Sequence, residues 1–185
     1  MSHETLPDDA VLLVVDVQQG FEEPGWGERN NPDCEKRIGG LLATWRRSER
    51  PVIHVRHCST EPDSPLRPER PGNAFKSVAE PEAGEPAVEK SVNSAFVGTD
   101  LEARLREAGY DTLVVVGLTT DHCVSTTVRM AANLGFRVVV VADATATHER
   151  VGYDGATYDA EQSHRLALAH LNGEFATIVE ADALL

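Results

Sequence analysis

Short apolar runs and apolar stripes at helical spacing alternate along this chain. "AVLLVVDV", residues 10–17, is continuous and β-branched, the pattern of a strand covered on both faces. In the following "NPDCEKRIGGLLATWRRSER", Ile38, Leu41, Leu42 and Trp45 recur at helical spacing. Asn31 is the expected cap of that helix, Pro32 suits its first position, and the Gly39–Gly40 pair weakens it locally. "PVIHVRH" reads as a second strand. The polar, proline-rich "STEPDSPLRPERPGNAFKSVAEPEAGEPAVEK" predicts a long surface excursion, either disordered or part of a binding site. "VGTDLEARLREAGY" reads as a helix opened by Thr99 and ended by Gly109, with Leu101 and Leu105 facing inward. Then come the strand "DTLVVVG", the helix "TDHCVSTTVRMAANLG" closed by Gly135, the strand "FRVVVVADA", the long helix "TYDAEQSHRLALAHLNG" and the terminal strand "FATIVEADAL".

Strands alternating with helices imply parallel pairing through right-handed crossovers. The expected architecture is one domain, residues 1–185, built as a three-layer α/β/α sandwich. Its mainly parallel, Rossmann-like central sheet has five principal strands and a sixth short one near "AVEKS". In open parallel sheets, ligands collect beyond the carboxyl ends of the strands. Three reactive side chains fall there: Asp16 closes the first strand, Lys90 closes "AVEK", and Cys123 lies a few residues past "LVVVG".

That trio suits nucleophilic chemistry. A free thiol, with its pKa near ~8.5, is mostly protonated at neutral pH. A helix starting near Thr120 or Asp121 and a neighbouring lysine cation would both favour the thiolate of Cys123. Asp16 would act as general base and then as general acid, and the backbone N–H groups of Thr119 and Cys123 would form an oxyanion hole. Each residue alone has a plainer explanation: a buried inert thiol, a turn-forming aspartate, a surface lysine beside Glu89. Their meeting at one sheet edge carries the reading.

Composition narrows the classes. The 185 residues are 41% apolar and 25% charged, ordinary for a globular domain, and the formal charge of −13 argues against nucleic acid or an anionic membrane as partner. Cys34, Cys58 and Cys123 form no C-x-x-C, so neither a disulfide framework nor a zinc ribbon is expected. The N-terminal "MSHETLPDDA" is unlike a secretory leader, and a cytoplasmic setting is expected. The first strand leads into "DVQQGF" and not into G-x-G-x-x-G, which disfavours a dinucleotide-binding oxidoreductase.

The motifs D-x-Q-x-x-F after the first strand, K-x-x-x-S-A-F in the middle and G-x-x-T-x-x-C-V opening a helix resemble those of the isochorismatase-like cysteine hydrolases. This superfamily includes nicotinamidases and N-carbamoylsarcosine amidohydrolases, and the resemblance spans nearly the whole chain. It implies Asp16, Lys90 and Cys123 as a catalytic triad, a cis peptide between Leu118 and Thr119, and assembly into dimers or larger oligomers. Nicotinamidases carry an Asp-x-His pair and a further histidine that bind a metal. Here "VIHVRHCST" has no aspartate before a histidine, and His54 and His57, three apart, point to opposite faces of a regular strand. No catalytic metal and no other cofactor is therefore expected. The presence of Cys123 also departs from true isochorismatases, which lack this nucleophile. The expected activity is hydrolysis of a C–N bond in a small amide, ureide or lactam through a thioester. The alternatives are a catalytically silent protein of the same fold and a redox-active thiol protein. Candidates for the pocket wall are Gln18, Phe21, Trp26, His57, Phe96 and His122. For Phe21 and Phe96 packing alone competes, and for His57 so does a solvated or core position. Asp121 is expected to cap the helix, and residues 147–159 to form either a further wall or an exposed turn.

Overall fold

Parallel ladders join six strands into one sheet in the computed structural model, which describes residues 6–185; the first five residues of "MSHETLPDDA" lie outside the described residues. The strands are Val11–Val15 (β1), Val52–His57 (β2), Ala87–Lys90 (β3), Thr112–Leu118 (β4), Arg137–Ala146 (β5) and, after a small antiparallel ribbon of Arg150–Val151 (β6) and Thr157–Tyr158 (β7), Thr177–Val179 (β8). Their order across the sheet is β3-β2-β1-β4-β5-β8, and every pair within it is parallel. The sixth short strand expected near "AVEKS" is thus the edge strand β3. Chain order reverses between β1 and β4, which opens a crevice at their carboxyl ends.

Four helices flank the sheet: Cys34–Arg47 (α1), Leu101–Ala108 (α2), Ser125–Asn133 (α3) and Ala160–Leu171 (α4). Alternation along the strands divides the core in two. Leu13, Val15, Val55, Leu113, Val115 and Val140 pack with Leu101, Leu105, Val128 and Leu171, so α2, α3 and α4 share one face. Leu12, Val14, Val52, Val114, Val116 and Val141 pack with Ile38, Leu41, Leu42 and Trp45, so α1 covers the other. All four of those α1 residues are fully buried. Among the described residues no helix is long and apolar enough to cross a membrane.

Local departures from the expected boundaries have visible causes. Helix α1 begins at Cys34, three residues past its expected cap. Asn31 has φ of 44° and spends its amide on Ala142 O (3.1 Å) and Thr145 O (2.7 Å), anchoring the approach to α1 against β5. The Gly39–Gly40 pair is a close-approach point: a Cβ at Gly39 would stand 2.8 Å from Val78 Cγ2. Helix α2 starts one residue late, yet Thr99 Oγ1 still accepts from Leu101 N at 3.3 Å. The long excursion is ordered by side chains: Asn73 Nδ2 donates to His57 O and Leu66 O, and Lys76 pairs with Glu22 and Glu35. Residues 147–159 form the β6–β7 ribbon, with Tyr153 fully exposed.

Gly117, one residue before the end of β4, lies opposite Val15 with φ of 120°. A Cβ there would fall 2.0 Å from the Val15 carbonyl oxygen. Gly117→Ala is therefore expected to destabilise the fold by roughly 3 kcal/mol or more, because backbone must move in the middle of the sheet. Urea unfolding of the variant checks this, and an unchanged midpoint would contradict it.

Candidate active site

The switch point is where the reactive side chains meet. Asp16 follows β1 directly, and its φ of 51° turns the chain sharply; aspartate tolerates this left-handed region better than most residues. Its N–H stays in the sheet, donating to Val55 O, while its carbonyl accepts from Gln18 N two residues on. Lys90 ends β3, two strand spacings of about 4.8 Å away from β1, and only a long side chain closes such a gap. Cys123 sits in a single π-helical turn, Thr120–Val124, between β4 and α3. Both His122 N and Val124 N donate to Thr119 O at 3.2 Å, which holds that turn tight. The Leu118–Thr119 peptide is cis.

Lys90 Nζ is the hub. It donates to Asp16 Oδ2 at 2.6 Å, faces His57 Nδ1 at 3.0 Å and contacts Cys123 Sγ at 3.3 Å. The Lys90 and Asp16 side chains are both fully buried. An ammonium has only donors, so His57 Nδ1 is the acceptor and the imidazole is neutral. Burial lowers the His57 pKa, with Lys90 next in effect, in agreement with that assignment. Among the described residues the second Asp16 oxygen, Oδ1, is buried without a hydrogen-bond partner, a free acceptor in the same cluster. Cys123 Sγ also lies 3.8 Å from Asn93 Oδ1.

The surroundings of the thiol favour its protonated form, against the expectation from the helix end and the lysine. Burial pushes its pKa well above the usual range and the Asp16 carboxylate pushes further, with Lys90 opposing. The ammonium does not win because the carboxylate 2.6 Å away offsets its charge. Cys34 is raised to about 12 by burial, and Cys58 is also raised by burial.

The donor atoms of Asp16, His57 and Cys123 lie within 4.8 Å of one another, close enough to hold a metal ion. Lys90 Nζ already contacts all three, so an added divalent cation would meet a fixed positive charge at van der Waals range. These residues do not fit a metal. His54 points the other way, to Glu85 at 2.8 Å, consistent with opposite faces of β2.

A cavity of about 370 Å³ opens over the sulfur, a size suited to a small ligand. Of the expected wall residues, Phe21, Trp26, His57 and His122 line it, together with Thr119 and Cys123. Gln18 and Phe96 do not line it. The Gln18 amide is spent on His57 N, His57 O and Asn73 O, bracing β2 against the loop after β1. Phe96, partly buried, stacks on Phe136, 5.8 Å between centroids, against the core on the α2 side. Nor does the Asp121 carboxylate cap the helix: it takes Arg150 Nε at 2.6 Å and Nη2 at 3.1 Å, plus the Thr147 hydroxyl, and its pKa falls to about 2. Thr120 Oγ1 is joined to His164 Nδ1 at 2.9 Å. The nucleophile turn is thus tied from both sides, to the ribbon and to α4. Asn93 hides among the unspecified positions of "KSVNSAF", and residues 59–66 carry no motif, so only their place on the cavity reveals them.

Two expectations follow. Lys90→Met should cost about 3–5 kcal/mol by stranding a buried carboxylate, and adding Asp16→Asn should restore much of it; urea unfolding of both variants decides, and additive losses would argue against the pair. Arg150→Met should cost about 2 kcal/mol at pH 6. Because the Asp121 pKa is depressed in the fold, to about 2, this contribution is present above the unfolded value and fades as pH falls below about 4. A stability gap that stays constant down to acid pH would contradict it.

Residues 10–183 match the isochorismatase domain family. The uncharacterized isochorismatase family protein YrdC of Bacillus subtilis is 42% identical over 180 residues, 97% of this chain and 96% of that protein. A crystal structure from the isochorismatase family of Chromobacterium violaceum superposes with a TM-score of 0.93 at 43% identity, covering 96% of this chain and 92% of that one. Streptothricin hydrolase of Streptomyces noursei is 33% identical over 178 residues, 94% of this chain and 69% of that protein. Maleamate amidohydrolase of Pseudomonas putida is 26% identical over 170 residues, 83% of this chain and 79% of that protein. With fold, motif spacing and full-length sequence similarity in agreement, the chain belongs to the isochorismatase family of hydrolases.

Proposed function

We propose that this isochorismatase-family hydrolase cleaves a C–N bond in a small amide, ureide or lactam through a thioester on Cys123. The observation that carries the reading is the buried ammonium of Lys90, in contact with both the Asp16 carboxylate and the Cys123 sulfur beneath a ligand-sized cavity. The names of two relatives, streptothricin hydrolase and maleamate amidohydrolase, support a hydrolytic and amide-directed assignment.

The raised thiol pKa makes a general base necessary, since little thiolate exists at rest. As the sulfur attacks the carbonyl carbon, the thiol proton passes to Asp16, whose Oδ1 has no other partner. The C=O pair moves onto oxygen, and the N–H groups of Thr119 and Cys123 receive that charge. Collapse reforms C=O and breaks the C–N bond, while Asp16 returns its proton to the leaving nitrogen. Water then gives a proton to Asp16 and attacks the thioester. The second tetrahedral species expels sulfur, which regains the proton, and the carboxylic or carbamic acid leaves. Lys90 holds Asp16 in place through these transfers, donating to its Oδ2, and offsets charge on sulfur as it develops. Neutral His57 holds the ammonium in place without competing for the proton.

Cys123→Ala, with the fold retained, and Asp16→Asn, measured on material whose folding circular dichroism confirms because it strands the buried ammonium, should each abolish turnover of any amide the protein accepts, by at least about a thousandfold. Release of ammonia or acid from a panel of amides, ureides and lactams is the measurement. The thioester itself should appear by mass spectrometry after rapid acid quench. Undiminished turnover in Cys123→Ala would end the mechanism.

A further inference from the structure

We propose that the cavity selects substrates bearing a positive charge, an ammonium or guanidinium, beyond the scissile carbonyl. This deepens the hydrolase reading above and rests on it for the chemistry. Seven of the residues that line the cavity come from the segment 59–66, and two of them, Glu61 and Asp63, are acidic. Both residues are exposed, and among the described residues neither carboxylate is held in an ion pair. Among the described residues no lysine or arginine lines the cavity. Lys90, the cation nearest the sulfur, is buried below and offset by Asp16, so it offers no counterion to a ligand. Arg67 and Arg70 brace the loop, donating to Thr60 O and Pro62 O, and neither lines the cavity.

The remaining wall agrees with the sign. Trp26 and Phe21, their ring centroids 5.0 Å apart, offer aromatic surface of the kind that attracts a cation. Burial and Lys90 keep His57 neutral. A carboxylate-bearing substrate would have to shed water close to two acidic residues with no lysine or arginine on the wall to pair with it, which disfavours binding. An ammonium at the same place gains from both acids.

The test uses three amides of similar size: γ-aminobutyramide (cationic), valeramide (neutral) and glutaramate (anionic). The expected order of kcat/KM is cation above neutral above anion, with about tenfold between the extremes, and Glu61→Gln/Asp63→Asn should flatten it. A second readout does not depend on amide hydrolysis. In a Cys58→Ser background, the rate at which Cys123 reacts with a cationic methanethiosulfonate is divided by the rate with an anionic one. The loop pair should lower this ratio by about fivefold or more, whereas Glu102→Gln/Glu107→Gln, the same charge change on α2, should leave it nearly unchanged. If no amide turns over but the ratio falls only for the loop pair, the hydrolase reading fails while the charge preference stands. Equal effects of the two pairs on the ratio, or glutaramate cleaved as well as γ-aminobutyramide, would overturn the proposal.

Discussion

A lysine and an aspartate buried together at 2.6 Å, with neither side chain exposed, set the terms for the rest of the molecule. Removing either partner would leave an uncompensated charge in a low-dielectric interior, so the two must arrive together. Their attraction repays desolvation only with good geometry and further partners, and the ammonium has them: carboxylate, imidazole and sulfur. The carboxylate is less satisfied, since Oδ1 has no hydrogen-bond partner. A fold optimised for stability alone would have no reason to bury an open acceptor beside a thiol. The deficit makes sense if that oxygen works by taking and returning a proton.

The sheet makes the meeting possible. Reversal of strand order between β1 and β4 splits the connecting segments to opposite faces and leaves the carboxyl ends uncovered. Asp16 and the Cys123 turn come from the two strands that flank that split, and β3 brings Lys90 in from the edge. Gln18 then locks the register of the site: its amide bonds both backbone groups of His57, the residue that seats the ammonium. Its place in the D-x-Q motif reflects bracing two residues from the aspartate, with no contact to the cavity.

Much of this was legible in the sequence because it follows from local pattern. The β-branched runs of β1, β4 and β5 and the stripe Ile38, Leu41, Leu42, Trp45 admit few other readings, and strand-end logic alone brought Asp16, Lys90 and Cys123 to one edge. What failed depended on three-dimensional partners. Gln18 and Phe96 sit in motifs next to reactive residues, yet sequence proximity does not say whether a side chain faces cavity or core. Asp121 has the right spacing for a cap, but Arg150 lies in a ribbon whose fold no periodicity announces. Helix α1 starts late because Asn31 is used elsewhere.

The ionisation state of the thiol is the most consequential case. From sequence, a helix end and a lysine both argue for a thiolate, since each favours the anion. The structure adds two opposing influences: nearly complete burial, and a carboxylate that meets the lysine before the sulfur does. Both push the Cys123 pKa up and so favour the thiol. A thiolate maintained at rest would be open to alkylation and oxidation whenever the cavity stood empty, because reactivity follows the ionised fraction. In the proposed mechanism the anion forms only as the bond to carbon forms, with the carboxylate already adjacent. On the proposed mechanism the buried ion pair does two jobs with one geometry: its carboxylate disfavours the free thiolate, and its ammonium supports the developing one.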